Sequence, residues 1–311
     1  MAAPDPTGTM FFDLSARTKL RIRGNDRLRF LNGQITNNIS KATATAAIAA
    51  CVLNTKGKTE AHVFCSSGPD YFSIDSDPEL REKLQARLER YLIADDVQIE
   101  DVSGHFSIFH VLAEGAPVVP AFCRVVSASR LGEKGWDVWV EGFQREEVFE
   151  QLTGAHSFGD DASLEVIRIE RGIPRWGREL TGEIIPVEAN LEESCIDYEK
   201  GCYIGQEVIS RIKMSGQRNK KLSGFVSLHD APLAAGMKLL PVTEEKKEIG
   251  WITSATRSKR LGKEIALGFM KRPFYPDTFK LHAFDPEDPI AARTVRVEVA
   301  DLPFTHPGNR N

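Results

Sequence analysis

The C-terminal part of the chain restricts the possible folds most, because its apolar residues recur in short segments with a period of two. In the final segment, Val295, Val297 and Val299 alternate with charged residues, which is the pattern of a strand with one buried face. Earlier segments of similar length and composition follow residue 221. Such a run of strands, with no helical pattern between them, predicts a small antiparallel barrel over about residues 222–302.

Upstream of this barrel, helical and strand patterns alternate. Leucines recur every four residues from Leu80 to Leu92, directly behind Asp77-Pro78, which predicts a helix with one apolar stripe. Strand patterns with hairpin-like spacing lie on both sides of it, and no phosphate-binding glycine loop of the GxGxxG or GxxxxGK type occurs. The order of elements therefore predicts an α+β fold and not a doubly wound parallel sheet.

A polar, basic segment from Lys213 to Lys221 separates the two parts of the chain. We therefore predict a first domain of residues 1–221 and a C-terminal barrel domain of residues 222–311. The basic segment also suggests an alternative function, a docking module for RNA, but it contains no aromatic residue on which a base could stack. A solvated linker is the simpler interpretation, and direct nucleic-acid binding is not expected.

Charge and composition exclude several classes of protein. The 311 residues carry a formal net charge of -4 with an isoelectric point near 6.0, so no overall field attracts nucleic acid or an anionic membrane. No apolar run is long enough to cross a bilayer, and the first ten residues lack the basic and apolar regions of a signal peptide. We therefore expect a cytoplasmic protein without a membrane partner.

The cysteines indicate a reducing compartment. Their number is odd and no CxxC pair occurs, which argues against a disulfide framework or a zinc ribbon. They are Cys51, Cys65, Cys123, Cys195 and Cys202. The histidines form neither HxxxH nor HExxH, so no metal site is predicted. Cys51 lies in a small apolar segment and is best explained as core packing.

The segment Lys200–Glu207 is the richest in candidate chemistry. Cys202 stands between two glycines, and from Gly205 onward apolar residues recur at helical spacing, so the thiol is expected just before a helix N-terminus. The positive end of the helix dipole, with Lys200 as a second positive group, favours the reactive thiolate there. The alternative is that Cys202 is a small buried hydrophobic residue, and this segment alone leaves both interpretations open.

A second local feature concerns the helix predicted to begin at Asp161 and to end before Gly172. Glu170 falls in its last turn, where the negative end of the dipole disfavours a carboxylate. Conflicts between a residue and its local environment are enriched at functional sites. Neutralisation of this carboxylate by Arg168 and Arg171 is the alternative explanation.

Several segments spread along the chain carry a family resemblance. They are FLNGQITNN at 30–38, NTKGK at 54–58, RYLIADDVQIED at 90–101, RIERGIPRWGREL at 168–180, KGCYIGQEV at 200–208, ITSATRS at 252–258 and IALGFMKR at 265–272. In this order they resemble the YgfZ family, a branch of the folate-binding superfamily typified by the glycine-cleavage T-protein, an aminomethyltransferase. The resemblance covers nearly the whole chain, and KGCYIGQE is its most specific segment.

The resemblance implies a T-protein-like fold, in which ferredoxin-like subdomains surround a central cavity for tetrahydrofolate or a one-carbon derivative. Glu170 matches the glutamate that holds the pterin in T-proteins, where a planar carboxylate accepts two parallel hydrogen bonds. Cys202 is the implied catalytic or cluster-contacting thiol, and no stable metal is expected, because a cluster usually takes four thiolates. The other residues expected at the site are Arg168, Trp176, Lys200, Tyr203, Gln206 and Glu207.

Two departures from the T-protein pattern bear on the activity. Where the T-protein carries the acid that activates folate, this chain offers Ala61 and His62, and Glu60 is expected on the opposite face of the strand. Gln206 replaces an arginine of the T-protein. The YgfZ resemblance therefore implies folate-dependent support of iron–sulfur cluster assembly or repair in client enzymes, including one that thiolates tRNA.

An active aminomethyltransferase is the alternative interpretation. It requires a carboxylate near the folate, and Asp95 or Asp96 are the candidates to supply it. Whether the chain is an enzyme is therefore left open by its sequence. Cys195, seven residues before Cys202, is a further candidate thiol that no motif supports.

Overall fold

The structure is a computed structural model that describes residues 9–242, 247–273, 280–287 and 294–304. The chain forms two units, each discontinuous in sequence. The first comprises the described residues up to Asp161 together with Leu191–Arg211, and the second comprises Ala162–Asn190 together with the described residues from Ile212 onward. This division differs from the predicted boundary at 221/222, because residues 162–190 group with the barrel rather than with the chain that precedes them.

Helices and strands alternate along the chain before the barrel, as the sequence predicts. In chain order they are β1 (Met10–Asp13), β2 (Thr18–Arg23), α1 (Arg27–Gln34), β3 (Ile48–Leu53), β4 (Thr59–Ser67), β5 (Phe72–Ser76), α2 (Arg81–Glu89), β6 (Gln98–Asp101), β7 (Phe106–Leu112), β8 (Arg124–Ser127), β9 (Trp136–Glu141), α3 (Arg145–Ala155), β10 (Ser157–Gly159), α4 (Asp161–Glu170), α5 (Glu192–Cys195) and α6 (Gln206–Ser215). The chain passes from one unit to the other within α4 and within α6. In the described ranges, no helix is long and apolar enough to cross a membrane.

The strands of the first unit form two sheets. Sheet A has the order β10–β1–β7–β9–β8 and is antiparallel except for the β1–β10 pair. Sheet B has the order β3–β4–β5–β2–β6 and is antiparallel throughout. In sheet A, Phe11, Phe109 and Val138 form one buried cluster with Val148 and Leu152 of α3. Helix α3 therefore covers the apolar face of sheet A.

A β-bulge interrupts the pairing of β3 with β4. Val52 pairs with Ala61, whereas Leu53 pairs with Thr59, so Glu60 is the extra residue. Ala61 is fully buried, and Glu60 forms an ion pair with Arg87 of α2 at 2.5 Å. The regular alternation from which the sequence argument placed Glu60 therefore does not hold at this residue.

The leucine-rich helix is confirmed, but with different ends. A 3-10 turn at Pro78–Leu80 precedes α2. Leu84 and Leu88 are buried together with Leu80, and these form the predicted apolar stripe. Leu92 lies beyond α2, because the chain after Arg90 tightens into turns in which the amides of Tyr91 and Leu92 each bond to the third carbonyl before them.

The described strands of the second unit close into a barrel. They are β11 (Lys220–Ser227), β12 (Lys238–Pro241), β13 (Gly250–Ser258), β14 (Lys263–Lys271), β15 (Lys280–Phe284) and β16 (Val295–Ala300). Their order around the barrel is β11–β14–β13–β12–β15–β16, and all neighbouring pairs are antiparallel. The interior is apolar and includes Phe225, Leu239, Ile252, Leu281 and Val297. The predicted barrel is thus confirmed, with a first strand that begins at Lys220 rather than at residue 222.

Candidate functional site

The thiol loop, residues 200–205, precedes α6 in the first unit. Cys202 is exposed, whereas the other cysteines of the chain, all of them in described positions, are buried or half-buried. Helix α6 begins at Gln206, which confirms the predicted position of the thiol ahead of a helix. Of the two interpretations left open by the sequence, the structure therefore favours the thiol that solvent reaches.

Two glycines from different motifs fix the base of the thiol loop. Gly205 has a φ of 84°, and a β-carbon at this residue would lie 2.6 Å from the carbonyl oxygen of Asn54. Gly57 has a φ of 72°, and its β-carbon would lie 2.8 Å from Cβ of Val208. Both residues therefore need the left-handed backbone and the absence of a side chain that glycine provides. The NTKGK turn and the KGCYIGQE segment are in contact here.

Lys200 holds the thiol loop against the end of α1. Its Nζ donates hydrogen bonds to three main-chain carbonyl oxygens, those of Asn32 at 2.6 Å, Ile35 at 2.7 Å and Asn37 at 2.8 Å. An ammonium group has three N–H donors, so all of them are used within the protein. Burial lowers the pKa of Lys200 to about 8. Lys200 is thus a positioning residue, because its hydrogen bonds attach the thiol loop to the FLNGQITNN segment.

The other predicted loop residues divide into buried and accessible ones. Tyr203 is buried, which raises its pKa to about 12, and Nζ of Lys200 lies 5.1 Å from the centre of its ring. This cation–π contact supports the loop from within. Gln206 and Glu207 open α6, where Gln206 is half-buried and Glu207 is exposed. A ligand that approaches Cys202 can therefore also reach the first turn of α6.

Glu170 is the last residue of α4 and lies in the second unit, largely buried. Its Oε1 accepts a hydrogen bond from the Ser258 hydroxyl, and its Oε2 accepts one from Nε of Arg260 at 2.9 Å. The main-chain oxygen of Glu170 accepts from the Phe304 amide at 2.8 Å. Arg260 from the barrel is therefore a cation that offsets the unfavourable helix end, while Arg168 has other partners.

Arg168 uses all of its donors within the protein. Its Nε and Nη2 form a fork on the Glu165 carboxylate at 2.6 and 2.5 Å. Its Nη1 donates to the Ile173 carbonyl at 3.1 Å and to Glu179 at 3.0 Å, and Nη2 also donates to the Ser254 hydroxyl at 2.6 Å. A guanidinium group has five N–H donors, so a ligand would have to displace one of these bonds. The structure gives this predicted folate-contacting residue a positioning role.

Glu179, which the sequence argument did not single out, is the centre of the same network. It is completely buried, and its Oε1 accepts hydrogen bonds from the hydroxyls of Thr253 and Ser254, both at 2.6 Å. Its Oε2 accepts from Arg168 and from a main-chain amide. Glu179 therefore fastens the segment after α4 to β13. The sequence held one signal for it, because each glutamate of RIERGIPRWGREL stands beside an arginine.

The predicted site residues fall into two groups. The group in the first unit consists of Lys200, Cys202, Tyr203, Gln206 and Glu207. The group in the second unit consists of Arg168, Glu170 and Trp176, of which Trp176 is half-buried and pairs through its main chain with Leu180. Each group thus belongs to one unit.

The carboxylates considered for activation of folate have partners of their own. Asp95 forms an ion pair with Arg29 at 2.6 Å, and Asp96 accepts a hydrogen bond from the side chain of Asn25 at 2.7 Å. His62, which aligns with the T-protein acid, is buried against a thiol instead. Each of the three side chains therefore has a partner within the first unit.

Comparison with known proteins agrees with this architecture. Residues 220–305 match the family model of the glycine cleavage T-protein C-terminal barrel domain. A crystal structure of glycine cleavage system aminomethyltransferase T from Bartonella henselae superposes with a TM-score of 0.82, over 96% of this chain and 86% of that chain, at 15% identity. The chain has the aminomethyltransferase fold. Its T-protein barrel is the part that the family model recognises.

The curated relatives include proteins of two different descriptions. A mitochondrial iron–sulfur cluster assembly factor IBA57 homolog of Dictyostelium discoideum is 25% identical, over 76% of this chain and 67% of its own length. An aminomethyltransferase of Bacillus subtilis is 23% identical, over 85% of this chain and 80% of its own length. Both kinds of relative therefore resemble most of the chain at similar levels of identity.

Proposed function

We propose that this protein binds a tetrahydrofolate or a one-carbon derivative and supports the assembly or repair of iron–sulfur clusters in client enzymes, including one that thiolates tRNA. Cys202 is the working thiol of this proposal. The observation that carries it is the exposure of Cys202 on a loop that Lys200 and Gly205 hold in place. The similarity to an iron–sulfur cluster assembly factor supports an iron–sulfur cluster as the substrate of that thiol.

A single exposed thiol suits a transient contact with a cluster. Iron–sulfur clusters usually take four protein thiolates, so Cys202 alone does not hold one permanently. In this proposal the cluster is cargo, and its remaining ligands belong to the client. The fixed loop presents the Cys202 sulfur to a partner without ordering of the chain on binding, which reduces the entropy cost of the encounter.

The residues of the second unit fit a folate in one respect that can be tested. The two oxygens of Glu170 each accept one hydrogen bond, from Ser258 and from Arg260. A carboxylate offers about four acceptor sites, so each oxygen retains one for a planar pair of N–H donors such as a pterin presents. Trp176 lies in the same segment and is half-buried, which leaves part of its ring for stacking. Bound tetrahydrofolate would supply a carrier for one-carbon groups.

Transfer of a one-carbon group is the second candidate function, and the similarity to a Bacillus subtilis aminomethyltransferase over 85% of this chain favours it. The alignment of Ala61 and His62 with the T-protein acid argues against it, since neither supplies a carboxylate. The deciding measurement is methylene transfer from a lipoyl-bound aminomethyl donor to tetrahydrofolate. Rates comparable to those of a T-protein would establish this second function in place of the first.

The role of the thiol is tested by complementation. Cys202→Ser and Cys202→Ala are expressed in a strain that lacks this protein, and the activity of an iron–sulfur tRNA-thiolating enzyme is measured. Both variants are expected to lose most of the rescue, because neither side chain offers a thiolate. Cys123→Ser, which removes a half-buried thiol of the same unit, is the matched control and is expected to rescue. Full rescue by both Cys202 variants would show that the thiol is not required.

The folate assignment is tested by calorimetric titration with tetrahydrofolate. Glu170→Gln is expected to weaken binding about tenfold or more, because a lost hydrogen bond to a charged group costs about 1.5–3 kcal/mol. Glu248→Gln is the control, since Glu248 forms a more exposed ion pair with Lys271 in the same unit. Urea unfolding of both variants checks that the fold is intact. Unchanged affinity in a folded Glu170→Gln protein would remove the pterin role and leave the thiol proposal standing.

A further inference from the structure

A pair of buried thiols lies in the first unit, apart from the exposed Cys202. Cys51 in β3 and Cys195 at the end of α5 are both completely buried, and each thiol shifts the pKa of the other. Nε2 of His62, which pairs with Cys51 across the β3–β4 ladder, lies 3.5 Å from Sγ of Cys195. The hydroxyl of Ser194 lies 3.4 Å from the same sulfur. Core packing explains a single buried cysteine, but it does not explain two buried cysteines with the side chains of His62 and Ser194 beside them.

Thr36 holds the main chains of both cysteines. Its hydroxyl donates to the Cys195 carbonyl at 2.5 Å and accepts from the Cys51 amide at 2.8 Å. Its own amide donates to the Cys51 carbonyl at 3.0 Å, and its carbonyl accepts from the Asp197 amide at 3.1 Å. One residue therefore fixes β3 and the segment after α5 together through the main chains of both cysteines.

The electrostatics of the pair are asymmetric. The hydrogen bond from Cys51 lowers the pKa of Cys195 well below that of an ordinary thiol, against the effect of burial, and His62 acts in the same direction. The same hydrogen bond and burial raise the pKa of Cys51. Cys195, whose sulfur also lies 3.5 Å from Nε2 of His62, is therefore assigned as the attacking thiol, and Cys51 as the resolving one. A reactive thiolate beside a neutral thiol is the arrangement found in dithiols that form disulfides through a thiolate attack.

We propose that Cys51 and Cys195 are a redox-active dithiol, which hydrogen peroxide converts into an intramolecular disulfide. The Cys195 thiol gives its proton to His62 Nε2, its sulfur attacks a peroxide oxygen, the O–O bond breaks, and the leaving hydroxide takes that same proton from His62 to become water. The Cys51 sulfur then attacks the sulfenic sulfur of Cys195, the S–O bond breaks, and a second water leaves with the Cys51 proton. Two thiols lose two electrons, one peroxide gains them, and an external dithiol reverses the change. This inference goes beyond the proposed function and does not depend on it.

Burial makes the pair selective for its oxidant, and a neighbouring cysteine provides a control. Cys51 and Cys195 are closed to solvent, so a small uncharged oxidant reaches them through fluctuations of the native state while bulky thiol reagents label Cys202. Cys65 is equally buried on the same sheet, opposite Ile48, and burial raises the pKa of its thiol. Cys65 thus shares the environment of the pair without the contact to His62.

The test uses the full chain with Cys202→Ser, so that the exposed thiol does not contribute. The folded protein is treated with hydrogen peroxide, denatured in iodoacetamide and digested without reductant. Mass spectrometry is expected to find the peptides of Cys51 and Cys195 joined, and dithiothreitol is expected to separate them. Cys65→Ala in this background is expected to leave the link unchanged. His62→Asn is expected to slow its formation while circular dichroism remains that of the parent.

A second variant makes the order of steps testable even if the link is rare. In Cys51→Ser the sulfenic acid has no resolving thiol, so dimedone is expected to label Cys195 after peroxide treatment. The proposal is overturned if both cysteines remain free for alkylation after peroxide treatment of the folded protein, if the link forms only in urea, or if Cys65 replaces either partner. Labelling of Cys51 in Cys195→Ser, with no labelling of Cys195 in Cys51→Ser, would overturn the assigned order.

Discussion

Gly57 and Gly205 approach each other so closely that a β-carbon on Gly205 would lie 3.2 Å from the α-carbon of Gly57. The contact joins the turn after β3 to the turn before α6, and Cys202 lies three residues before Gly205. The position of the exposed thiol therefore depends on a packing contact between two residues without side chains. A change at either glycine is expected to move or loosen the thiol loop.

The first prediction concerns Gly205→Ala. A left-handed backbone costs a residue with a β-carbon about 1–2 kcal/mol, and the clash with the Asn54 carbonyl adds overpacking strain of about 1–3 kcal/mol. We expect a loss of about 3 kcal/mol in the free energy of unfolding, measured by urea titration, and faster alkylation of Cys202. Gly216→Ala is the matched control, because Gly216 follows the same helix α6 with a φ of 64° and nothing within 4 Å of its β-carbon. Equal losses in both variants would contradict the close contact.

The second prediction concerns Lys200→Met. Methionine keeps much of the apolar length of lysine but leaves three carbonyl oxygens, one buried and two part-buried, without their donor. Each unsatisfied group costs about 1–3 kcal/mol when buried, before water or local rearrangement relieves it. We expect a loss of about 3 kcal/mol in the free energy of unfolding and a higher rate of hydrogen exchange at the thiol loop. Lys41→Met removes an exposed ion pair with Asp197 and is expected to change stability by less than about 1 kcal/mol. A thiol loop whose exchange rate stays that of the wild type would show that Lys200 does not anchor it.

Helices and strands such as α2 and β16 were predictable, because the spacing of the apolar residues within each one shows which of its faces is buried. The period of two at Val295, Val297 and Val299 belongs to β16, and the leucines Leu84 and Leu88 identify α2. The grouping of residues 162–190 with the barrel was not predictable in this way. That grouping depends on contacts between residues far apart in sequence. The periodicity of apolar residues does not show which distant residue a side chain contacts.

The candidate site shows the same limit. The sequence located Cys202 correctly before a helix, because helix starts have local signals. It assigned Arg168 and Lys200 to ligand binding from the resemblance, whereas their donors are taken up by Glu165, by Glu179 and by main-chain carbonyls. A charged residue in a motif predicts that its charge is needed. Whether its partner is a ligand or another part of the chain becomes visible only in three dimensions.

The third prediction concerns the buried pair of Arg168 and Glu179. Glu179→Gln keeps the shape but leaves the Arg168 charge partly uncompensated in a buried position, and loss of one partner of a buried ion pair typically costs about 3–5 kcal/mol. We expect a loss in this range, measured by urea unfolding. Arg257→Met removes an exposed ion pair with Asp230 on the same barrel and is expected to cost less than about 1 kcal/mol. Comparable losses would mean that Glu165 alone satisfies Arg168.

The fourth prediction concerns acid stability and the buried cluster around Arg130. Arg130 bonds to both Asp75 and Asp137. Burial alone would raise the pKa of Asp75, but the guanidinium groups of Arg130 and Arg17 outweigh it and hold that pKa below its usual value. In the unfolded chain the pKa of an aspartate is about 3.9. As the pH falls to that value, Asp75 becomes protonated in the unfolded state while it is still ionised in the folded state. The stability that this pair contributes is therefore present at neutral pH and is lost as the pH falls below about 4.

Asp75→Asn removes this dependence together with the ion pair. We expect the variant to be less stable than the wild type by about 3 kcal/mol at pH 7, because Arg130 loses one of its two buried carboxylates. We also expect its stability to fall less steeply between pH 6 and pH 3, since one shifted titration is gone. The two curves, measured by urea unfolding at fixed ionic strength, should therefore converge toward low pH. Parallel curves would show that the Asp75 carboxylate titrates alike in the folded and unfolded states, and that Arg130 does not stabilise its charge.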